Sequence, residues 1–222
     1  PTYVTRGNHD DNAYHNDPWI PPYDNKRVPH KYIVWDYDWN REILEPLARG
    51  NAIHDLKNPE SSYYYVDYPE KKIRVVFLDA YAYPEEKNGD LSVWSAEGWD
   101  RFSDWQLKWF AETALDTSKE GWTYILSSHG ALIDGFVTGP CSNATIPYEI
   151  IKAFNEKKKY ANEKLDINVN YTNVKLVDST NDITIEVVCE QGKIYKIIII
   201  KVKFKIIVAF FLYNAHFYPQ CL

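Results

Sequence analysis

The 222-residue chain contains no methionine and only three cysteines. A translated reading frame starts with Met, so we interpret the sequence as truncated and Pro1 as lying downstream of the original start. Cys141, Cys189 and Cys221 are far apart and form no CxxC pair, which argues against both a disulfide framework and a zinc ribbon. The scarcity of cysteine favours a reducing compartment such as the cytoplasm. Secretion stays open as an alternative, with a signal peptide lost upstream.

Long apolar runs are also missing, because no charge-free stretch reaches the roughly 18 residues that a membrane-spanning helix needs. Nine glycines and twelve prolines follow no period, which excludes a collagen-like chain. With 45% apolar and 25% charged residues, the composition is that of a folded globular protein. The length favours one domain, so we interpret residues 1–222 as a single, partial domain.

The net charge of −6 is unevenly distributed. Residues 193–222 contain five lysines and no acidic side chain, so the remainder is more acidic than the total suggests. An acidic surface repels a phosphate backbone, and we therefore expect no binding to duplex DNA or RNA. A small phosphorylated substrate is compatible with this charge, because a bound metal ion would dominate the local field.

Strands and helices alternate along the sequence, which predicts an α/β fold. Ile73–Leu78 is an almost continuous apolar run and predicts a strand covered on both faces. Ser103 and Gln106 form a capping box at a helix start, in which each side chain is expected to bond the other's backbone N–H. The other predicted elements are strands at Tyr3–Thr5, Ser62–Val66 and Trp122–Leu126, and helices at Asn40–Ala48 (capped by Asn40) and Ile146–Phe154.

The composition changes past Lys193. Lys201, Lys203 and Lys205 alternate with apolar residues, and this period of two predicts a strand with one cationic face. The neighbouring apolar runs are unusually rich in isoleucine for a surface. We therefore consider two interpretations of residues 193–222: edge strands of the domain, or a tail whose sequence is not native.

The tetrapeptide Gly7-Asn8-His9-Asp10 follows the predicted strand at Tyr3–Thr5 and is the strongest chemical signal. Glycine permits a sharp turn and close backbone approach. Asn8 offers a neutral oxygen to a metal ion, His9 a proton near neutral pH, and Asp10 an acceptor that fixes the His9 tautomer. The plainer alternative is a turn that leads into a capped helix start.

This tetrapeptide resembles the GNHD motif of the calcineurin-like metallophosphoesterases. Trp122–His129, reading Trp-Thr-Tyr-Ile-Leu-Ser-Ser-His, is similar to the strand that delivers a lone metal-binding His in that family. The segment Gln106–Phe110 is similar to the family's Gln-Leu-x-Trp-Leu helix start. The resemblance covers Tyr3–Ala131 well and the remainder poorly. The family's D-x-H and GDxxD motifs do not occur in the 222 residues. Its GHxH motif has only a partial match at Tyr213-Asn214-Ala215-His216, where Asn214 occupies the position of the first His.

The resemblance implies two mixed β-sheets sandwiched between helices, truncated at the N-terminus, and hydrolysis of phosphate mono- or diesters with two divalent metal ions. It implies that Asn8, His129 and His216 ligate metal, while His9 protonates the leaving oxygen and Asp10 orients His9. Mixed N and O ligands favour Mn, Fe or Zn. Asn8 and His129 are then expected at neighbouring strand ends. Without the bridging Asp, the 222-residue chain is expected to bind metal weakly and to be nearly inactive.

A second hypothesis is a non-catalytic binding protein on the same fold. It would use the aromatic-rich loop 19–39 to hold a sugar or peptide, although such aromatics more often serve loop packing. We expect His15, His30 and His54 to be ordinary loop or helix-end residues.

Overall fold

The computed structural model describes residues 1–7, 34–80, 101–130, 132, 141 and 143–175, together with three strands between residues 183 and 210. The described chain is a mixed α/β structure, so the α/β part of the predicted fold class is confirmed. Its main sheet has five strands in the order β1-β2-β3-β4-β9. These strands are β1 (Ile53–His54), β2 (Tyr64–Tyr68), β3 (Ile73–Leu78), β4 (Thr123–Ser128) and β9 (Ile206–Phe210).

The two halves of this sheet differ in strand direction. Strands β1, β2 and β3 pair antiparallel, whereas β3, β4 and β9 run parallel. In the parallel half the strands end in register, since Leu78 is opposite Ser128 and Ser128 is opposite Phe210. The carboxyl ends of three strands therefore meet at one edge of the sheet, the usual location of ligand sites in α/β folds.

Within the described residues, three helices longer than one turn accompany the sheet, and Pro69–Lys71 and Glu163–Leu165 form single 3-10 turns. Helix α1 covers residues 36–48, with a π-helical turn at Asn40–Leu44 between α-helical turns. Helix α2 covers residues 104–114 and also ends in a π-helical turn, Phe110–Ala114. Helix α3 is Thr145–Asn155. Two antiparallel pairs complete the described structure: β5 (Lys159–Asn162) with β6 (Ile167–Asn170), and β7 (Ile183–Val188) with β8 (Ile194–Ile199).

The sheet is covered on both faces, as the sequence of β3 predicted. Val76 and Leu78 belong to a core that contains residues of α2 and α3. Phe77 belongs to a second core, which α1 supplies with Trp39 and Leu44. This alternation follows the period of two along a strand. Within the described residues the other sheets are two-stranded pairs, so the two large sheets of the expected sandwich stay a prediction.

Two predictions about chain ends and caps are wrong. Tyr3–Thr5 forms no strand, because the Tyr64 hydroxyl takes the place of a neighbouring strand. It accepts from the Val4 N–H and donates to the Val4 carbonyl, at 2.9 Å each. Helix α1 begins four residues before Asn40, at Asp36, and Asn40 is not its cap. The Asn40 side-chain amide instead donates to the Ser61 carbonyl at 2.9 Å.

The capping box is half confirmed. The Ser103 hydroxyl accepts from the Gln106 N–H at 3.3 Å, as predicted. The Gln106 side chain does not return to Ser103, because it makes two bonds to the backbone of Asp79. Gln106, a residue of the local capping motif, therefore connects α2 to the end of β3.

Candidate functional site

Two segments far apart in sequence meet at the carboxyl edge of the parallel strands. The hydroxyls of Thr5 and Ser127 lie 3.0 Å apart and hydrogen-bond. Thr5 stands three residues before Asn8 in the sequence, and Ser127 stands two residues before His129. The described N-terminal segment thus reaches the end of the strand that carries His129.

His129 is the one predicted site residue that the structure describes. It is half-buried and follows β4 directly. Asn8, His9, Asp10 and His216 lie outside the described residues, so their predicted roles stay predictions. So do those of His15 and His30.

Gly130, next to His129, is held in tight packing that sequence reasoning missed. A Cβ added to Gly130 would lie 2.3 Å from the Cys141 sulfur and 2.5 Å from the Ala80 Cβ. Both contacts are far closer than van der Waals distance, so only glycine fits here without movement of its neighbours. The backbone after His129 is therefore fixed by close approach to the segment that follows β3.

An ion triad of Arg6, Asp36 and Asp79 lies at the same edge, with Arg6 and Asp79 buried and the Asp36 side chain 25% exposed. The Arg6 side chain is fully buried, with Nη1 2.8 Å from Asp36 Oδ1 and Nε 3.0 Å from Asp79 Oδ2. Asp36 is the first residue of α1, and Asp79 follows β3. Ser62 donates a hydrogen bond to the same Asp79 oxygen. One arginine thereby connects the N-terminal segment, α1 and the end of β3.

The triad has one positive and two negative groups, and this imbalance acts on Asp36. Burial raises the pKa of Asp36 to about 6. The nearby Asp79 charge raises it further, while Arg6 opposes the shift. The charge of Asp36 therefore changes at mildly acidic pH.

Gln106 fixes the Asp79 backbone. Its Oε1 accepts from the Asp79 N–H at 2.8 Å, and its Nε2 donates to the Asp79 carbonyl, also at 2.8 Å. Gln106 is fully buried, so both backbone groups depend on it rather than on water. Gln106 of α2 therefore holds the Asp79 backbone, while Arg6 and Ser62 contact the Asp79 side chain.

Sequence reasoning did not assign a role to Arg6, Asp36 or Asp79. A weak signal was present, because Asp79 closes an apolar strand and Arg6 precedes the Gly7-Asn8-His9-Asp10 tetrapeptide directly. Charged residues at such positions are buried only when paired. The sequence offered no means of choosing the partners, which are 30 or more residues from Arg6.

Two other predictions concern residues outside the triad and the contact between Thr5 and Ser127. His54 was expected in a loop or at a helix end, but it lies in strand β1, with Nε2 2.8 Å from Glu45 Oε1. Of the aromatic-rich loop 19–39, only residues 34–39 are described. Trp39 is buried in the core with Leu44 and Phe77, which makes it a packing residue and not part of a ligand platform.

Within the described residues, no group of three or more His, Cys, Asp and Glu side chains is arranged to hold a metal ion. Across the same residues, no helix has the length and apolar character required to cross a membrane. No family model, curated protein or solved structure matches the chain. The resemblance to calcineurin-like metallophosphoesterases thus depends on the motif residues alone.

Proposed function

We propose that the chain is part of a metal-dependent phosphoesterase whose site lies at the carboxyl edge of β3, β4 and β9. The contact between Thr5 and Ser127 carries this proposal, because it brings the segment that leads to Asn8 beside the strand that leads to His129. Two ligands of one metal centre must approach each other in this way, however far apart they are in sequence.

The chemistry of the site fits a divalent cation. His129 offers an imidazole nitrogen and Asn8 a side-chain oxygen, a mixed donor set suited to Mn, Fe or Zn. The buried Arg6 would repel a cation if it were uncompensated, but it is paired with two carboxylates. When bound, two such ions would activate a water molecule and stabilise charge on the phosphate.

The chain's own residues would divide the remaining tasks. His9 donates a proton to the leaving oxygen and does not ligate metal, and Asp10 accepts from the His9 ring and fixes its tautomer. Asn8, His129 and His216 are the proposed ligands. The substrate class is a small phosphate mono- or diester.

Mn²⁺ titration of the 222-residue chain tests these assignments. Asn8→Ala and His129→Ala are each expected to weaken Mn²⁺ binding by about 10-fold or more, since each removes a direct ligand. His9→Ala is expected to leave the Mn²⁺ affinity unchanged. The matched control is His54→Ala, which removes a half-buried histidine bound to Glu45 and should not alter Mn²⁺ affinity.

The reverse pattern would contradict the assignment. Loss of Mn²⁺ binding in His9→Ala, with Asn8→Ala unaffected, would exchange the two roles. A wild-type chain without Mn²⁺ binding, or ligand variants with wild-type affinity, would remove the proposed function. Rapid Mn²⁺-stimulated hydrolysis of bis(p-nitrophenyl) phosphate by this chain would show that the ligands lie elsewhere, because the bridging Asp motifs are not in the sequence.

A further inference from the structure

A sequence pattern that the proposed function does not use occurs twice in the chain. Asn-x-Ser/Thr, with any residue but proline in the middle, is the acceptor pattern for N-linked oligosaccharides. It is found at Asn143-Ala144-Thr145 and at Asn170-Tyr171-Thr172. As sequences, the two tripeptides are equivalent. The structure describes both of them, and the surroundings of their asparagines differ.

The half-buried Asn143 side chain is occupied by the backbone of Phe102. Its Oδ1 accepts from the Phe102 N–H at 2.9 Å, and its Nδ2 donates to the Phe102 carbonyl at 2.8 Å. To bond both groups of one residue, the amide uses the Nδ2 hydrogen on the same side as Oδ1. An attached sugar makes the amide secondary, and the favoured trans form places the sugar carbon on that side. A glycan on Asn143 would therefore replace the hydrogen that bonds Phe102, which is itself fully buried.

The Asn170 side chain, in contrast, is exposed at the end of β6. Its Oδ1 accepts from the Thr172 N–H at 3.1 Å and from the Thr172 hydroxyl at 2.8 Å. Its Nδ2 has no hydrogen-bond partner among the residues that the structure describes. A sugar on Nδ2 would thus displace no hydrogen bond of the described fold, and Oδ1 would remain an acceptor for Thr172.

The turn that carries Asn170 is fixed from the side of the core. Tyr171 is buried, its hydroxyl donates to the Ala111 carbonyl at 2.6 Å, and its ring packs edge-on against Phe154. The two neighbours of Tyr171 in the sequence, Asn170 and Thr172, are both exposed. The fold therefore holds the middle residue of the pattern and presents the two outer ones to solvent.

We propose that Asn170 carries an N-linked oligosaccharide and that Asn143 does not. In the transfer, the Asn170 Nδ2 attacks C1 of the first sugar of a polyprenyl-diphosphate-linked oligosaccharide. A bond between Nδ2 and C1 forms, and the bond between C1 and the diphosphate oxygen breaks. Nδ2 loses one proton, and the polyprenyl diphosphate leaves with the bonding electron pair. This transfer takes place in the secretory pathway, so the inference favours secretion over the location that the scarcity of cysteine suggests.

The test is the mass of the full 222-residue chain, produced behind a cleavable signal peptide in mammalian cells, before and after peptide N-glycosidase treatment. Wild type is expected to carry one glycan, which peptide mapping locates at Asn170. Asn170→Gln and Thr172→Ala are each expected to abolish it, because either change removes the acceptor pattern. Thr172→Ser keeps the hydroxyl and should keep the glycan. Asn143→Gln and Thr145→Ala are the matched controls at the other tripeptide and should also keep it.

Three outcomes would overturn the inference. The first is a wild-type chain that enters the secretory pathway and carries no glycan. The second is loss of the glycan in Thr145→Ala with retention in Thr172→Ala, which would place it on Asn143. The third is a wild type with two glycans, which would show that the contact with Phe102 does not exclude a sugar. If Asn143→Gln fails to fold, Thr145→Ala decides, because it leaves the Asn143 side chain in place.

Discussion

At the residue scale, Asp36 shows how one arginine shared between two carboxylates makes a fold sensitive to pH. Arg6 cannot fully compensate both Asp36 and Asp79, and burial penalises the ionised form of Asp36. The folded protein therefore holds a proton on Asp36 at pH values where an unfolded chain would have released it. The ordinary pKa of 3.8 and the raised value of about 6 define the interval over which this matters.

We predict that the melting temperature falls as pH rises from about 4 to about 6, the interval between these two pKa values, and that this contribution levels off above it. The sign follows from linkage, because the folded state binds more protons than the unfolded state over this interval. Asp36→Asn mimics the protonated carboxyl and should flatten the dependence. Melting curves at several pH values between 4 and 7.5 measure the effect.

Asp104→Asn provides the control for this experiment. Asp104 is exposed in an ion pair with Arg101 and takes no part in the triad. Its variant should keep the wild-type dependence on pH. If the melting temperatures of wild type and Asp36→Asn change equally with pH, the triad does not control the dependence between pH 4 and 6.

At the scale of elements, the contact between α2 and the end of β3 depends on a single side chain. Gln106 satisfies the N–H and the carbonyl of Asp79 together. We predict that Gln106→Leu destabilises the protein by about 2–6 kcal/mol, because each of the two buried backbone groups left without a partner costs about 1–3 kcal/mol. Urea unfolding measures this change in the free energy of unfolding.

Lys108→Gln is the matched control on the same helix. The Lys108 side chain is partly exposed and pairs with Glu112 and Asp166, so its loss should destabilise the protein much less than Gln106→Leu does. Equal stability of Gln106→Leu and wild type would mean that Asp79 finds other partners for its backbone groups.

The sequence predicted elements whose signals are local. The apolar run at Ile73–Leu78 gave the bounds of β3, and the predicted helix at Ile146–Phe154 differs from α3 by one residue at each end. Contacts between distant residues were not predicted. The capping motif predicts that the Gln106 side chain bonds the Ser103 backbone. In the fold it bonds the backbone of Asp79, which is distant in sequence. Tyr3–Thr5 has strand-forming residues, yet it pairs with no other strand. The backbone groups of Val4 bond the Tyr64 hydroxyl.

The candidate site shows the same difference between local sequence signals and contacts of distant residues. The Gly7-Asn8-His9-Asp10 tetrapeptide was proposed from its residue types and the strand predicted before it, and His129 from the resemblance of Trp122–His129 to a metal-binding strand; both assignments stay predictions. Arg6, Asp36 and Asp79 were missed, because each is an ordinary charged residue until the fold brings them together. Tertiary burial, which no periodicity encodes, is what gives them a shared role.

At the scale of the whole molecule, the location of the candidate site follows from sheet topology. The antiparallel half, β1 to β3, places strand ends on alternating edges. In the parallel half, the adjacent strands β3, β4 and β9 all end at one edge. His129 follows the middle strand of that half. The site's support on the β9 side therefore comes from the compositionally distinct segment 193–222.

The same topology provides a test of the two interpretations of that segment. Five residues of β9 pair in parallel with β4, from Tyr124 opposite Ile206 to Ser128 opposite Phe210. If this pairing is native, deletion of residues 200–222 leaves the backbone of β4 without partners on one side. Unpaired strand edges recruit other chains, so the truncated protein should self-associate.

We predict that this deletion lowers the free energy of unfolding by about 3 kcal/mol or more, because several backbone hydrogen bonds, each contributing about 0.5–1.5 kcal/mol, are lost together. Val208→Pro should act in the same direction without shortening the chain, since proline removes a ladder donor. Urea unfolding, light scattering and hydrogen exchange of the Tyr124–Ser128 amides measure the effect. Unchanged protection of these amides after deletion would show that β4 does not need β9, and would favour a tail foreign to the domain.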